Sequence, residues 1–271
     1  MKKILFFETQ EFTGATRVTR TLAKAATKEY EVAFAQVGDN VREDIESAID
    51  RERPDILFSS FVDINPIVIQ VGEKGNLYVI VRNDYNLKDV SEDQKKWILE
   101  TYPYADEVIV QTEEMKYELL HNNCADASKI KVMDNPLDEE DILQKAKEPN
   151  PFPNNSCFHF LWVGRKDPIK DLKTLQAAFE IVKKQEPKAD LTLVSDDPNP
   201  YKWMKYADCL VISSLSEASP NVLREALFLG TPVVSTDCSE TVRKLLPKES
   251  IVPIHQPAAL ADAMIKQVRG N

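Results

Sequence analysis

The chain has 271 residues, 43% hydrophobic and 29% charged, enough for one large domain or two modest ones, and this balance excludes a disordered, collagenous or small disulfide-stapled chain. Its 44 acidic and 34 basic residues give a net charge of −10, and the acidic excess lies in the first half: 1–150 holds 19 basic and 30 acidic residues, 151–271 holds 15 and 14. No basic face suited to nucleic acid or to an anionic lipid surface stands out.

Short apolar runs then alternate with longer amphipathic segments. Strands are predicted at 3–8, 31–37, 55–61, 77–81 and 107–111, with helices near 15–28, 41–52, 65–72, 91–101 and 112–121. Strand, helix, strand at this spacing implies right-handed crossovers and a parallel sheet covered on both faces, which suits the unbroken apolar character of the strands. Residues 135–157, rich in proline, asparagine and charge, read as a linker. A second series follows, with strands at 158–164, 190–195, 209–213, 232–235 and 250–254. Its helices are predicted at 172–184, where Leu172, Leu175, Phe179 and Val182 form one stripe, at about 220–229, and at 257–268. The reading is two α/β units in tandem.

Several chemistries are missing. There are seven glycines and no G-x-G-x-x-G, G-x-x-x-x-G-K-[ST] or G-x-S-x-G. No aspartate is followed two residues later by another, so no metal site built on D-x-D is expected. His121, His159 and His255 are scattered and read as surface or internally satisfied residues. Cys124, Cys157, Cys209 and Cys238 form no C-x-x-C pair and read as reduced, mostly buried thiols. The N-terminal apolar run, Ile4 to Phe7, is too short for a signal-peptide core, and no run approaches a membrane span, so a cytoplasmic chain is expected.

The informative segment is 213–237. Ser219 is the expected N-cap of a helix, Pro220 its first residue, and Gly230 its C′ residue with Pro232 beyond. A helix opening at the carboxyl end of a parallel strand points backbone N–H groups, here around Asn221 and Val222, at a place where α/β sheets bind anions. Glu217 just before it and Glu225 within it can accept hydrogen bonds from hydroxyls; alternatively Glu217 only meets the helix dipole and Glu225 lies on a solvated face. After the strand ending near Val163, Arg165 and Lys170 occupy another strand-to-helix turn, where two cations could neutralise a pyrophosphate without metal. Otherwise Lys166, Lys170 and Lys173 form a solvated patch.

These residues resemble the retaining, nucleotide-sugar-dependent glycosyltransferases of GT-B fold, family 4. The resemblance covers nearly the whole chain and is strongest from 158 to 237. The family's Glu-x7-Glu pattern matches Glu217 and Glu225, and its G-R-x-x-x-x-K pattern matches Gly164, Arg165 and Lys170; 13–25 and 132–138 match more weakly. It implies two Rossmann-like parallel-sheet domains facing each other across a cleft: an acceptor domain at 1–150 and a donor domain at 151–271. It further implies that Glu217 meets hydroxyls of the donor sugar and Glu225 the ribose. Arg165 and Lys170 would stabilise the departing diphosphate, aided by Gly164 and the backbone from Ser219 through Pro220 and Asn221 to Val222. Thr13, Gly14 and Asn83 would belong to the acceptor side. The nucleotide sugar is then a substrate, with no cofactor or metal, and the acceptor is a glycan, lipid or small molecule. The chain departs from the family at Thr13–Gly14, which replaces a glycine pair, and at Arg82–Asn83–Asp84, which has no histidine. Ser195 replaces a glycine, and 196–208 is short, so this is a shortened member. A non-catalytic homologue serving as a binding or partner subunit, and a sugar-nucleotide epimerase, are the other readings.

Overall fold

A computed structural model of the chain describes residues 1–10, 13–153, 156–195 and 197–270. Asn154 and Asn155 of the expected linker, and Asp196 of the short 196–208 segment, lie outside the described residues. The chain divides into two units, Met1–Pro136 and Leu137–Asn271.

The first unit has six strands: β1 (Lys3–Thr9), β2 (Glu31–Val37), β3 (Ile56–Ser59), β4 (Tyr78–Arg82), β5 (Glu107–Val110) and β6 (Ile130–Val132). Its helices are α1 (Gly14–Ala26), α2 (Val41–Glu52), α3 (Asn65–Lys74), α4 (Glu92–Thr101) and α5 (Glu113–His121). The strands run in the order β2-β1-β3-β4-β5-β6, and every pairing is parallel. Alternate side chains build two cores, as strands covered on both faces require. On one face Ile4, Phe6, Ile56, Phe58 and Ile109 pack with Ala23 of α1, and the Phe6 and Phe58 rings lie 4.8 Å apart. Leu5, Phe7, Leu57, Val79, Val81 and Val108 on the other face are also buried. A Cβ at Gly72 of α3 would overlap the Val79 side chain, so this glycine lets the helix lie close on β4.

Polar side chains gather where β4 ends. Arg82 is buried, and its guanidinium donates to Asp84 and to the Asn135 side chain. Burial pushes the Asp84 carboxyl up to about 6 although Arg82 pulls it down, and burial lowers the Arg82 pKa. Asn65 donates to the Arg82 carbonyl at 3.1 Å and to the Tyr102 hydroxyl at 3.0 Å.

The second unit begins with a helix that the linker reading omits, α6 (Glu139–Lys145), whose Ile142, with Ala146 just beyond it, is buried in this unit's core. Then come β7 (Phe158–Val163), α7 (Leu172–Gln185), β8 (Ala189–Val194), α8 (Tyr201–Tyr206), β9 (Cys209–Ile212), α9 (Asn221–Phe228), β10 (Val233–Thr236), α10 (Glu240–Leu245), β11 (Ile251–Val252) and α11 (Pro257–Arg269). The order is β11-β10-β9-β7-β8, again all parallel. One core joins α6 to α8, α9 and α10 through Ile142, Met204, Leu223 and Val242; the other joins α7 to α11 through Leu175, Val182, Leu260 and Met264. Among the described residues no helix is long and apolar enough to cross a membrane.

Candidate functional site

Strand order locates the site of the second unit. From β7 the chain passes outward to β8 and then returns to β9 on the other side of β7, so the order reverses between β7 and β9. Loops leaving the carboxyl ends of the two strands at such a reversal diverge, and the crevice between them is where open α/β sheets bind ligands. Both sequence motifs sit on these loops.

The loop after β7 opens with Gly164, whose N–H donates to the Val194 carbonyl at 3.0 Å. A Cβ there would come within 3.3 Å of the Trp162 ring. Arg165 is exposed, and its side chain has no hydrogen bond or ion pair among the described residues. Asp167 accepts from the Ile169 N–H at 3.2 Å and so starts a single 3-10 turn, Pro168–Lys170. Asp171 then has left-handed backbone (φ 44°) and caps α7, accepting from the Thr174 N–H at 3.2 Å and its hydroxyl at 2.6 Å.

The loop after β9 meets that turn. The Leu215 N–H donates to the Ile169 carbonyl at 2.8 Å, and the Ser213 hydroxyl to the Lys170 carbonyl at 2.7 Å. The Lys170 ammonium lies 2.5 Å from Glu217 Oε1, which also accepts from the Ser214 hydroxyl at 2.7 Å. Glu217 is held from its other side as well, its N–H donating to the Cys238 carbonyl at 2.9 Å. Lys170 and Glu217 keep 22% and 16% of their side-chain exposure, so the pair is sheltered yet reachable. Burial pushes the neighbouring Cys238 thiol up to about 12, which keeps it neutral.

The start of α9 differs from the sequence reading by one residue. Pro220 is the N-cap and Asn221 the first helical residue, with Val222 next and no side-chain cap. Ser219 thus lies one residue before the cap, and its hydroxyl accepts from Thr241 of α10 at 3.2 Å. Gly230 (φ 79°) closes the helix: its N–H donates to the Leu227 carbonyl and the Thr231 N–H to the Ala226 carbonyl, a Schellman pattern. Glu225 is 4% exposed, not on a solvated face, and accepts from the Tyr201 hydroxyl of α8 at 3.3 Å. Lys170 and Glu217 are thus in contact, while Glu225 is held by Tyr201 of α8.

The other expected residues belong to the first unit. Thr13 is the N-cap of α1 in a capping box with Thr16, and Gly14 is the first helical residue. Asn83 is buried, donating to the Tyr85 carbonyl at 2.7 Å and accepting from the Tyr102 hydroxyl at 3.3 Å. Two residues next to the motif residues have no signal in the sequence. Tyr201 lies in a helix of six residues, and His255 approaches Asp171 Oδ2 to 3.1 Å from the loop after β11.

Residues 199–269 match the family model for glycosyl transferases group 1. The chain is 31% identical over 179 residues to an uncharacterized glycosyltransferase of Methanocaldococcus jannaschii, a match covering 55% of this chain and 44% of the relative. It is 26% identical over 166 residues to N-acetylgalactosamine-N,N'-diacetylbacillosaminyl-diphospho-undecaprenol 4-alpha-N-acetylgalactosaminyltransferase of Campylobacter jejuni, covering 53% of this chain and 45% of that one. The matched stretch is therefore less than half of either curated relative. The structure of Anabaena HepE in complex with UDP-glucose superposes with a TM-score of 0.75 at 13% identity, covering all of this chain and 90% of that one. These likenesses and the two parallel sheets give the chain the GT-B fold, with the glycosyl transferases group 1 match in its second unit.

Proposed function

We propose that the chain is a glycosyltransferase that draws its sugar from a nucleotide-sugar donor bound by the second unit. The Lys170–Glu217 pair at the β7/β9 reversal carries this reading. A nucleoside diphosphate leaves with concentrated negative charge, and a fixed cation in a sheltered crevice stabilises that charge most where it is developing. Lys170 supplies such a cation, Arg165 a forked second one from the same loop, and the uncapped first turn of α9 supplies backbone donors. Each well-placed donor is worth about 3–4 kcal/mol of barrier. Glu217, already accepting two hydrogen bonds, has the geometry to exchange the Ser214 hydroxyl for one of the sugar's. Glu225, steadied by Tyr201, offers a carboxylate to the ribose. Charge compensation by side chains supports transfer without metal, and in our reading transfer is retaining, with the acceptor attacking from the face on which Lys170 and Arg165 hold the departing diphosphate. The first unit takes the acceptor, a glycan, a lipid or a small molecule. Four cysteines, none in a disulfide, support a reducing compartment such as the cytoplasm.

The test is a thermal-shift panel of UDP, GDP, ADP and their sugar conjugates. At about 100-fold excess over the dissociation constant, binding adds roughly 2.7 kcal/mol, a rise of about 5–10 °C. One base should produce it, and Arg165→Ala should abolish it. Glu217→Ala should then cut transfer by at least about 100-fold while the protein stays folded, its melting temperature lowered only by the loss of the partly exposed Lys170 ion pair. No shift with any nucleotide would overturn the donor site in favour of a partner subunit. Sugar-nucleotide conversion without acceptor would identify an epimerase.

A further inference from the structure

Two of the residues with left-handed backbone face each other beside Lys170. Asp171 has φ 44° and His255 has φ 57°, and neither is glycine. L side chains adopt this region rarely, and a pair held there in mutual contact is kept by its surroundings. The His255 ring is 64% exposed, so it is not there to fill a core, and its Nδ1 lies 3.1 Å from Asp171 Oδ2. The α7 cap itself does not need this contact, because Thr174 already donates to both carboxylate oxygens.

We infer that His255 is a positioning residue for Lys170, acting through Asp171; the inference rests on the donor-site reading and adds a residue to it. The turn carrying Lys170 is held at three consecutive residues. Leu215 donates to the Ile169 carbonyl, Ser213 donates to the Lys170 carbonyl, and the His255 ring lies against the Asp171 carboxylate. The first two anchors come from the loop after β9 and fix the turn against Glu217. The third comes from the loop after β11 and meets Asp171, the residue that follows Lys170 and joins its turn to α7. At 3.1 Å the ring nitrogen lies within ion-pair range of that carboxylate. Histidine also suits the backbone, since His, Asn and Asp are the side chains enriched at positive φ. Asparagine is therefore the conservative replacement: it tolerates the conformation and puts a polar nitrogen, Nδ2, nearly where Nδ1 stands.

The experiment is a calorimetric double-mutant cycle on the full chain, with UDP, GDP and ADP and the matching free nucleosides as probes. His255→Ala should weaken the bound nucleoside diphosphate by about tenfold, short of the 100-fold of a gross misplacement, and leave the free nucleoside unaffected. His255→Asn should restore affinity to within about twofold of the parent. In a Lys170→Ala background, His255→Ala should have no further effect, because the residue acts through the lysine. An undiminished affinity in His255→Ala, equal losses for nucleoside and diphosphate, or the same loss with and without Lys170 would overturn the inference while the donor site stands. Failure of the parent to bind any nucleoside diphosphate would remove the donor-site reading and the inference with it.

Discussion

Arg82 holds a full charge where water barely reaches and directs it at Asp84 and Asn135. Removing one partner of a buried pair leaves the other uncompensated. Arg82→Met should therefore cost about 3–5 kcal/mol at neutral pH, read as a lowered urea midpoint. The carboxyl is raised to about 6 even with Arg82 pulling it down, and the variant lifts it further, so the cost should shrink as pH falls towards 6 and level off below it, where Asp84 is protonated in both proteins. Local spacing announces the residues that lie next to their own strand ends. Glu217 and Lys170 could be picked out that way because each sits a few residues past an apolar run. His255 and Tyr201 could not, because each acts on a partner far away in sequence that only the sheet brings near. Ser219 shows the same limit: its sequence neighbours make it a good cap, and Thr241 of another helix claims its oxygen.

At the scale of elements, α9 depends on how it stops. Gly230 has φ 79° and open space where a Cβ would stand, so Gly230→Ala meets no clash and costs only backbone strain. A loss of about 1 kcal/mol in chemical denaturation is expected, with binding at the crevice unchanged because the far end of the helix bears the strain. The other elements show which structure a single sequence reveals. The long apolar strands and the helices of eight or more residues carry enough periods to be seen. Strand β6 has three residues, two of them exposed, and offers no pattern. Helices α8 and α10 have six residues each, under two turns, too short for a 3.6-residue stripe to register. Helix α6 is hidden differently, with Ile142 its single buried residue amid a proline- and asparagine-rich stretch.

For the whole molecule, the two sheets share a plan: setting aside β6, each runs second, first, third, fourth, fifth. Each therefore has a strand-order reversal beside its first strand, and the donor site is proposed at the one in the second unit, where Lys170 meets Glu217, whereas the Arg20–Glu8 pair of the first unit ties α1 to β1. Hydrogen exchange should display that asymmetry. With saturating nucleoside diphosphate, peptides spanning 164–171 and 213–225 should slow, and those spanning 31–52, on the far edge of the first sheet, should not. Slowing confined to the first unit would place the nucleotide there instead. The division at Pro136–Leu137 has a consequence for recombination. Helix α6 precedes residue 150 yet lends Ile142 to the second core. An exchange of halves between relatives that cuts at 150 strands this helix with a sheet that has no seat for it and opens a void beneath α8. A crossover at 136 lets it travel with the core it completes, so the inheritable module is longer than its first strand suggests.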